Sequence, residues 1–278
     1  MGALQDDTRM TGTGPWRLRL SRDWELWGPN GGYLSAVALR AAGAAVGGDR
    51  RPVSYSCQYL RTGTFADTAV SAEVMREGRT ATCVNVRLEQ SGQALLQAQV
   101  WSASPREGPH AAVTAAPAAP PPEGLTQLPD MSPDAPGAAF RNNFDRRPVP
   151  PQAADLAQGH MQQWFRYRGY DGGGDAFLDA ARSVLLIDTM VLPAHVHGQG
   201  GRIGYQATTL SLNVAFHRPA PEKGWLLADA RSEQAADGAI HGEVLIWTED
   251  QRLIASGSST LVLAVRSVGG DASRKDPG

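Results

Sequence analysis

The sequence predicts an α+β protein in which one unit occurs twice, a long helix followed by about four antiparallel strands. Three observations predict this fold class. The chain has 278 residues, which is enough for two domains of ordinary size. A proline-rich stretch divides it near the middle. On both sides of that stretch, an apolar helical pattern is followed by an alternating strand pattern.

The proline-rich stretch lies between Ser102 and Pro151 and holds 12 of the 19 prolines. Because proline lacks a backbone donor and disfavours helix in the residue before it, we expect a linker here and no part of the sheet core. The predicted division of the chain is a first unit, a linker, a second unit and a disordered tail, at residues 1–105, 106–152, 153–267 and 268–278.

The two units follow the same order. In the first, "WGPNGGYLSAVALRAAGAAVGG" predicts a helix after a glycine pair, and "RPVSYSCQYLRTGTF" predicts a strand. In the second, "DAFLDAARSVLLIDTMVLPA" predicts a helix that stops at Pro193, and "ATTLSLNVAFHRPAP" predicts a strand. An offset of 158 residues places "QALLQA" over "QRLIAS". An offset of 157 residues superposes the apolar strand positions Val53, Tyr55, Cys57 and Tyr59 on Leu210, Leu212, Val214 and Phe216.

Both predicted helices are apolar on nearly every side. Such a helix must be covered from several directions, and a strongly curved antiparallel sheet can do this. That arrangement is the hot-dog fold. The sequence therefore predicts a double hot-dog, with two tandem long helices each wrapped by a curved antiparallel sheet. We expect the two halves to share one continuous sheet, with a site between them.

The composition excludes several classes of partner. A formal charge of −2, with 19% charged residues, gives no basic field for nucleic acid. No apolar run approaches the roughly 18 residues of a membrane span. The two cysteines, Cys57 and Cys83, are too few for a disulfide scaffold and are interpreted as packing residues in a reducing compartment. We therefore expect a cytoplasmic protein whose partners are small molecules or copies of itself.

A metal site is not predicted. The "HVH" pair, His195 and His197, has a spacing that can ligate a metal ion, but the spacing fixes no third ligand nearby. We interpret the pair as part of a polar loop.

Two stretches resemble a known family. "FHRPAPEKGWLLADARSEQAADGAIHGEVLIWTEDQRLIAS" resembles the second half of type II acyl-CoA thioesterases, and "WGPNGGYLSAVALRAA" is similar to the first helix of that superfamily. The likeness covers most of residues 15–105 and 160–265. It implies a double hot-dog that hydrolyses an acyl-CoA or carrier-bound acyl thioester without a metal or redox cofactor. Open hot-dog edges usually pair, which predicts a homo-oligomer.

Asp188 is the first candidate for chemistry. It interrupts the apolar run "SVLLIDTMVL", and a buried carboxylate is costly unless it is hydrogen-bonded or paired. The residues alone leave open a second interpretation, an Asp on the one wet stripe of its helix. The first-half helix carries no carboxylate. The resemblance implies that Asp188 orients and activates the water that attacks the thioester.

The resemblance also implies a Thr and a Gln that hold the same water. They fall on Thr209 and Ser259, so a shorter Ser stands where the family has Gln. Strand parity predicts that Thr209 points away from the face of Leu210 and Leu212. The alternative is that Thr209 and the Ser/Thr cluster are ordinary strand residues. A one-residue slip in register would bring in Ser258 or Thr260 instead.

The first half offers backbone groups at the start of its helix. The amides of Gly31 and Gly32 lie where donors are unpaired and the helix dipole favours negative charge, which predicts an oxyanion hole for the thioester carbonyl. Asn30 is expected to cap the helix or bind substrate, with Tyr33 in the same substrate-binding set.

Two other functions remain open. A hot-dog hydratase or dehydratase requires a His paired with Asp on or near the helix, and only His195 follows closely. A non-catalytic module that binds acyl thioesters is favoured by the Ser at position 259. The fold does not decide among these functions.

Overall fold

The computed structural model describes residues 1–108, 114–151, 159–201 and 205–264. The predicted tail, 268–278, lies outside the described residues. The helices are α1 (Leu4–Asp7), α2 (Gly31–Val46), α3 (Ala138–Arg141) and α4 (Ala176–Gly198). The strands are β1 (Trp16–Arg19), β2 (Arg51–Tyr59), β3 (Asp67–Glu77), β4 (Ala81–Gln90), β5 (Gln93–Ala103), β6 (Phe144–Pro148), β7 (His160–Tyr167), β8 (Gln206–Phe216), β9 (Leu226–Ala236), β10 (Ala239–Thr248) and β11 (Leu253–Ala264).

The eleven strands form one antiparallel sheet. Their order is β1-β3-β4-β5-β2-β8-β11-β10-β9-β7-β6. The two halves of the chain meet at the β2–β8 pair, where Tyr55 lies opposite Val214 and Cys57 lies opposite Leu212. The prediction of one continuous sheet is therefore confirmed. Four strands follow each long helix, as predicted, but β1, β6 and β7 were not predicted.

The two long helices pack against each other in antiparallel directions. A Cβ atom added to Gly32 would lie 2.7 Å from Leu185 Cα, and one added to Gly43 would lie 2.6 Å from Phe177 Cγ. Glycine at both positions thus allows close approach of the helices. Helix α2 contacts β3, β4 and β5, and helix α4 contacts β9, β10 and β11, so both cover one face of the sheet.

Part of the stretch predicted to be a linker belongs to the sheet. Phe144–Pro148 forms β6, which pairs with β7 at the sheet edge. An edge strand tolerates a terminal proline because its outer side needs no donor, and this is why the expectation was wrong here. Other residues of the stretch cover a second apolar cluster on the opposite face of the sheet, formed by Trp164, Trp225, Leu227 and Trp247.

Helix α4 does not stop at Pro193. It continues to Gly198, so His195 and His197 lie in its last turns and not in a loop. The turn is held by tertiary contacts, because His195 Nε2 lies 2.6 Å from the Tyr205 hydroxyl and Nδ1 lies 3.3 Å from Ser232 Oγ. No group of three potential metal ligands occurs within the described ranges. None of the described helices combines the length and apolar content of a membrane span.

Backbone hydrogen bonds define how the halves correspond. The amide of Leu60 donates to the carbonyl of Leu95, and the amide of His217 donates to the carbonyl of Ile254. Strands β2 and β8 are therefore related by 157 residues (217 − 60), as predicted. Strands β5 and β11 are related by 159 (254 − 95), not 158.

Candidate active site

Asp188 lies at the middle of α4, with 6% of its surface exposed, and faces the first turn of α2. A Cβ atom added to Gly31 would lie 2.9 Å from Asp188 Oδ2 and 3.2 Å from Oδ1. The carboxylate of the second half thus touches the helix start of the first half, and the two elements meet where β2 and β8 join the halves.

Burial raises the pKa of the Asp188 carboxyl to about 6. Three groups around the carboxyl favour its ionised form and limit the rise in its pKa. They are the Thr209 hydroxyl, the Gly32 amide and the Tyr59 hydroxyl. They complete no hydrogen bond to Oδ1, which is buried and has no partner in the described part of the chain. Near neutral pH the group is therefore mostly ionised but close to the pH at which it takes up a proton, as a general base requires.

The glycine pair allows this approach. At Gly31, any side chain would collide with the Asp188 carboxylate and with Tyr59 Cε1, which is 3.2 Å from the added Cβ. Asn30 ends the preceding segment and caps the helix, because its Oδ1 accepts from the Tyr33 amide at 3.0 Å. The capping interpretation of Asn30 therefore agrees with the structure.

Thr209 faces the helices, contrary to the parity argument. The pairing of β8 with β11 shifts between Ser211 and Thr209, which leaves Leu210 as the extra residue of a bulge. Beyond the bulge the alternation is reversed. Leu210 is 43% exposed, whereas Thr209 lies on the same side as buried Leu212 and beside Asp188. The expectation that Leu210 belongs to the apolar face was wrong for this reason.

Ser259 is buried on β11 and also faces α4. Two residues earlier, a Cβ atom added to Gly257 would lie 2.9 Å from Ile187 Cγ2, next to Asp188 in the helix. The Ser259 hydroxyl has no hydrogen-bond partner among the described residues, so it is not bonded to Asp188. Tyr33 holds the N-terminal segment: its ring stacks on Trp24, and its hydroxyl donates to the Asp7 carbonyl at 2.9 Å.

Tyr59 also belongs to the candidate site, although the sequence did not predict it. Its hydroxyl lies 2.6 Å from Ser35 Oγ on α2 and acts on the Asp188 carboxyl. Burial, with the nearby Asp188 charge, raises the pKa of Tyr59 well above its usual value, so it stays a proton donor. The alternation of β2 placed Tyr59 on an apolar face, and nothing in that pattern marked its hydroxyl as part of a site.

Family models match both halves of the chain. The model described as the N-terminal domain of acyl-CoA thioesterases matches residues 20–103, and the model described as their C-terminal domain matches residues 114–263. No curated protein matches the sequence.

Solved structures with a hot-dog fold are similar over nearly the whole chain. A conserved protein of unknown function from Alicyclobacillus acidocaldarius has a TM-score of 0.82 and 20% identity, covering 95% of this chain and 98% of that one. An acyl-CoA thioesterase II from Mycobacterium marinum has a TM-score of 0.77 and 24% identity, with coverages of 95% and 99%. A putative thioesterase II from Thermobifida fusca has a TM-score of 0.77 and 24% identity, with coverages of 95% and 98%. At these identities the likeness shows the hot-dog fold.

Proposed function

The chain belongs to the acyl-CoA thioesterase family and is a thioester hydrolase, and from this premise we propose that Asp188 activates the attacking water. The observation that carries the proposal is a buried carboxylate, with a pKa of about 6, in contact with the helix start of the other half. The substrate is an acyl-CoA or a carrier-bound acyl thioester.

The proposed reaction needs only the groups around Asp188. The ionised carboxylate takes a proton from water, and the water oxygen forms a bond to the thioester carbonyl carbon. The electron pair of the C=O bond moves to its oxygen, which becomes an oxyanion. When the oxyanion collapses, the C–S bond breaks and the thiolate leaves with the proton that Asp188 holds. The products are a free acid and a free thiol.

The first turn of α2 stabilises the oxyanion in this proposal. Its amides are unpaired within the helix and lie at the positive end of the helix dipole. Since the Gly32 amide acts on Asp188, the Gly31 amide is the better placed donor for the oxyanion. Asn30 and Tyr33 support this turn indirectly, the first as cap and the second through the N-terminal segment.

Thr209 and Ser259 hold the water in this proposal. Thr209 lies beside the carboxyl, and the unpaired hydroxyl of Ser259 faces the same helix. Because Ser is shorter than Gln, Ser259 acts through an intervening water and contributes less than Thr209.

We also propose the finer architecture and setting. Four strands after each long helix support a double hot-dog with units at 1–105 and 153–267, joined by 106–152, a segment that also contributes the edge strand β6. The edge strands β1 and β6 leave backbone groups unpaired, which supports a homo-oligomer. The free cysteines, Cys57 and Cys83, support a reducing compartment, the cytoplasm.

Release of free thiol from short, medium and long acyl-CoAs tests the function. We expect release well above the buffer rate for at least one chain length, and its loss in Asp188→Asn. Release at the buffer rate for every chain length, with acyl-CoA binding retained, would instead identify a binding module.

A further inference from the structure

A second cavity lies at the opposite end of the β2–β8 pair from Tyr59 and Thr209. It is open and has a volume of about 610 Å³. We call it the basic groove and define it by its charged and titratable lining, Arg51, Arg106, His217, Arg218 and Arg252. These residues come from four separate places in the chain: the start of β2, the segment after β5, the segment after β8 and the β10–β11 connection.

The charges of the basic groove are not balanced. Arg252 pairs with Asp250 at 2.7 Å and lies 3.7 Å from Glu222. Arg51, Arg106 and Arg218 have no ion pair among the residues that the structure describes. No carboxylate of the described ranges lines the groove itself.

A smaller cavity continues inward from the groove and shares Arg51, His217 and Arg218 with it. Its one carboxylate, Asp179, is already neutralised, because it pairs with buried Arg182. The inner cavity therefore adds no free negative charge. Three like charges around one concavity repel one another, and an anion bound between them removes that cost.

The internal repeat relates this region to the site of Asp188. The 157-residue offset matches Phe216 with Tyr59 and Pro52 with Thr209, and both Phe216 and Pro52 line the inner cavity. The region thus occupies the position of a second site. It has Phe216 and Pro52 where the site of Asp188 has the hydroxyls of Tyr59 and Thr209. It therefore has a binding surface without counterparts of the Tyr59 and Thr209 hydroxyls.

We propose that the basic groove binds a diphosphate group, free or as part of a nucleotide, at a site separate from the hydrolytic one. Arginine is suited to this ligand because its planar guanidinium donates two parallel hydrogen bonds to phosphate oxygens. Arg51 at the start of β2, Arg218 just after β8 and Arg106 just after β5 surround the anion.

Calorimetric titration at low salt tests the proposal with two probes, inorganic pyrophosphate and adenosine diphosphate. We expect saturable binding of one pyrophosphate per chain. The double variant Arg51→Gln, Arg218→Gln should weaken it by about tenfold or more, because two charge-assisted contacts are lost. Tighter binding of adenosine diphosphate would identify a nucleotide ligand, and equal binding would identify the phosphate groups as the whole determinant.

The matched control removes the same charge elsewhere. Arg17 and Arg19 are exposed on edge strand β1, so Arg17→Gln, Arg19→Gln should leave pyrophosphate binding unchanged. Thermal melts verify that both double variants fold. Thiol release should stay within about twofold of wild type in both, since neither pair lies near Asp188.

Three results would overturn the proposal. They are no saturable binding by the wild type, equal weakening in the control, or parallel loss of pyrophosphate binding and thiol release in the groove variant. The last result would assign the phosphate to the substrate of the hydrolytic site. A failure of the hydrolytic mechanism leaves the titration unaffected, so the two proposals fail separately.

Discussion

Asp188 and Gly43 occupy equivalent positions in the two long helices. The helices begin at the caps Asn30 and Asp175, which gives an offset of 145 residues (175 − 30), and Asp188 minus 145 is position 43. At Asp188 a carboxylate faces a glycine of the other helix. At Gly43 there is no side chain, and the ring of Phe177 fills the space.

The difference shows that two halves with corresponding helices need not contain the same site. The two helices have equivalent backbone positions. At one of them the Asp188 carboxylate faces Gly31, and at the other the Phe177 ring packs on Gly43. A buried carboxylate lowers stability, whereas a ring packed on glycine raises it. Retaining a carboxylate at only one of these two equivalent positions limits this cost to one half of the pair.

The largest expected effect is on turnover. Asp188→Asn removes the proposed base but keeps the shape, so kcat in thiol release should fall by a factor on the order of 100 or more. The neighbouring variant Thr189→Val is the control, because the Thr189 hydroxyl donates to the Leu185 carbonyl of its own helix. Unchanged turnover in Asp188→Asn would exclude Asp188 as the base.

The same substitution should stabilise the fold at high pH. The folded-state pKa of Asp188 is raised from 3.8 to about 6, so its stabilising contribution is present below pH 3.8 and is lost as the pH rises through 6. At pH values well above 6, Asp188→Asn should raise the free energy of unfolding by about 2 to 3 kcal/mol, and this gain should vanish under acid conditions. Urea denaturation at several pH values measures it; a gain independent of pH would contradict the burial argument.

A third prediction compares equivalent glycine and alanine positions. Gly31→Ala adds a methyl group against the Asp188 carboxylate and should lower kcat by about tenfold to a hundredfold, because displacement of the base by an ångström misaligns the reaction. The equivalent position in the second helix is Ala176, and Ala176→Gly should leave thiol release unchanged. Similar losses in both variants would mean that helix packing alone is being measured.

The smallest expected effect is on the pH profile. Tyr59 lowers the pKa of Asp188, so Tyr59→Phe should raise that pKa above about 6 and move the acid limb of kcat/KM to higher pH. Activity should fall several-fold near pH 6 and little at alkaline pH. Tyr55→Phe is the matched control, since the Tyr55 hydroxyl lies near Cys57 and Ser35 but is not one of the groups that lower the pKa of Asp188. A shared shift in both variants would assign the effect to strand packing.

Local sequence signals predicted the parts of the site that depend on chain-local chemistry. A charge within an apolar run marked Asp188, and a cap followed by two glycines marked the helix start at Asn30. These features carry their physical reason within a few residues. The offset of 157 residues likewise located the β2–β8 correspondence before the hydrogen bonds defined it.

The remaining features depend on contacts that alternation does not encode. The bulge at Leu210 reverses parity, and with it the direction of Thr209. Tertiary hydrogen bonds of His195 hold the helix beyond Pro193. Tyr59 occupies a strand position that alternation assigns to an apolar side chain. Its hydroxyl contacts Ser35 and Asp188 only because α2 and α4 meet beside it.

The junction between β2 and β8 has a kinetic consequence. It pairs Ser54 with Ala215, a separation of 161 residues (215 − 54), whereas the β4–β5 hairpin pairs Gln90 with Gln93. Contacts so distant in sequence form slowly, because the entropy of closing a long loop is lost before any pairing is gained. Since Asp188 and Gly31 meet beside this junction, hydrolytic activity should be regained late in refolding, after most secondary structure is in place.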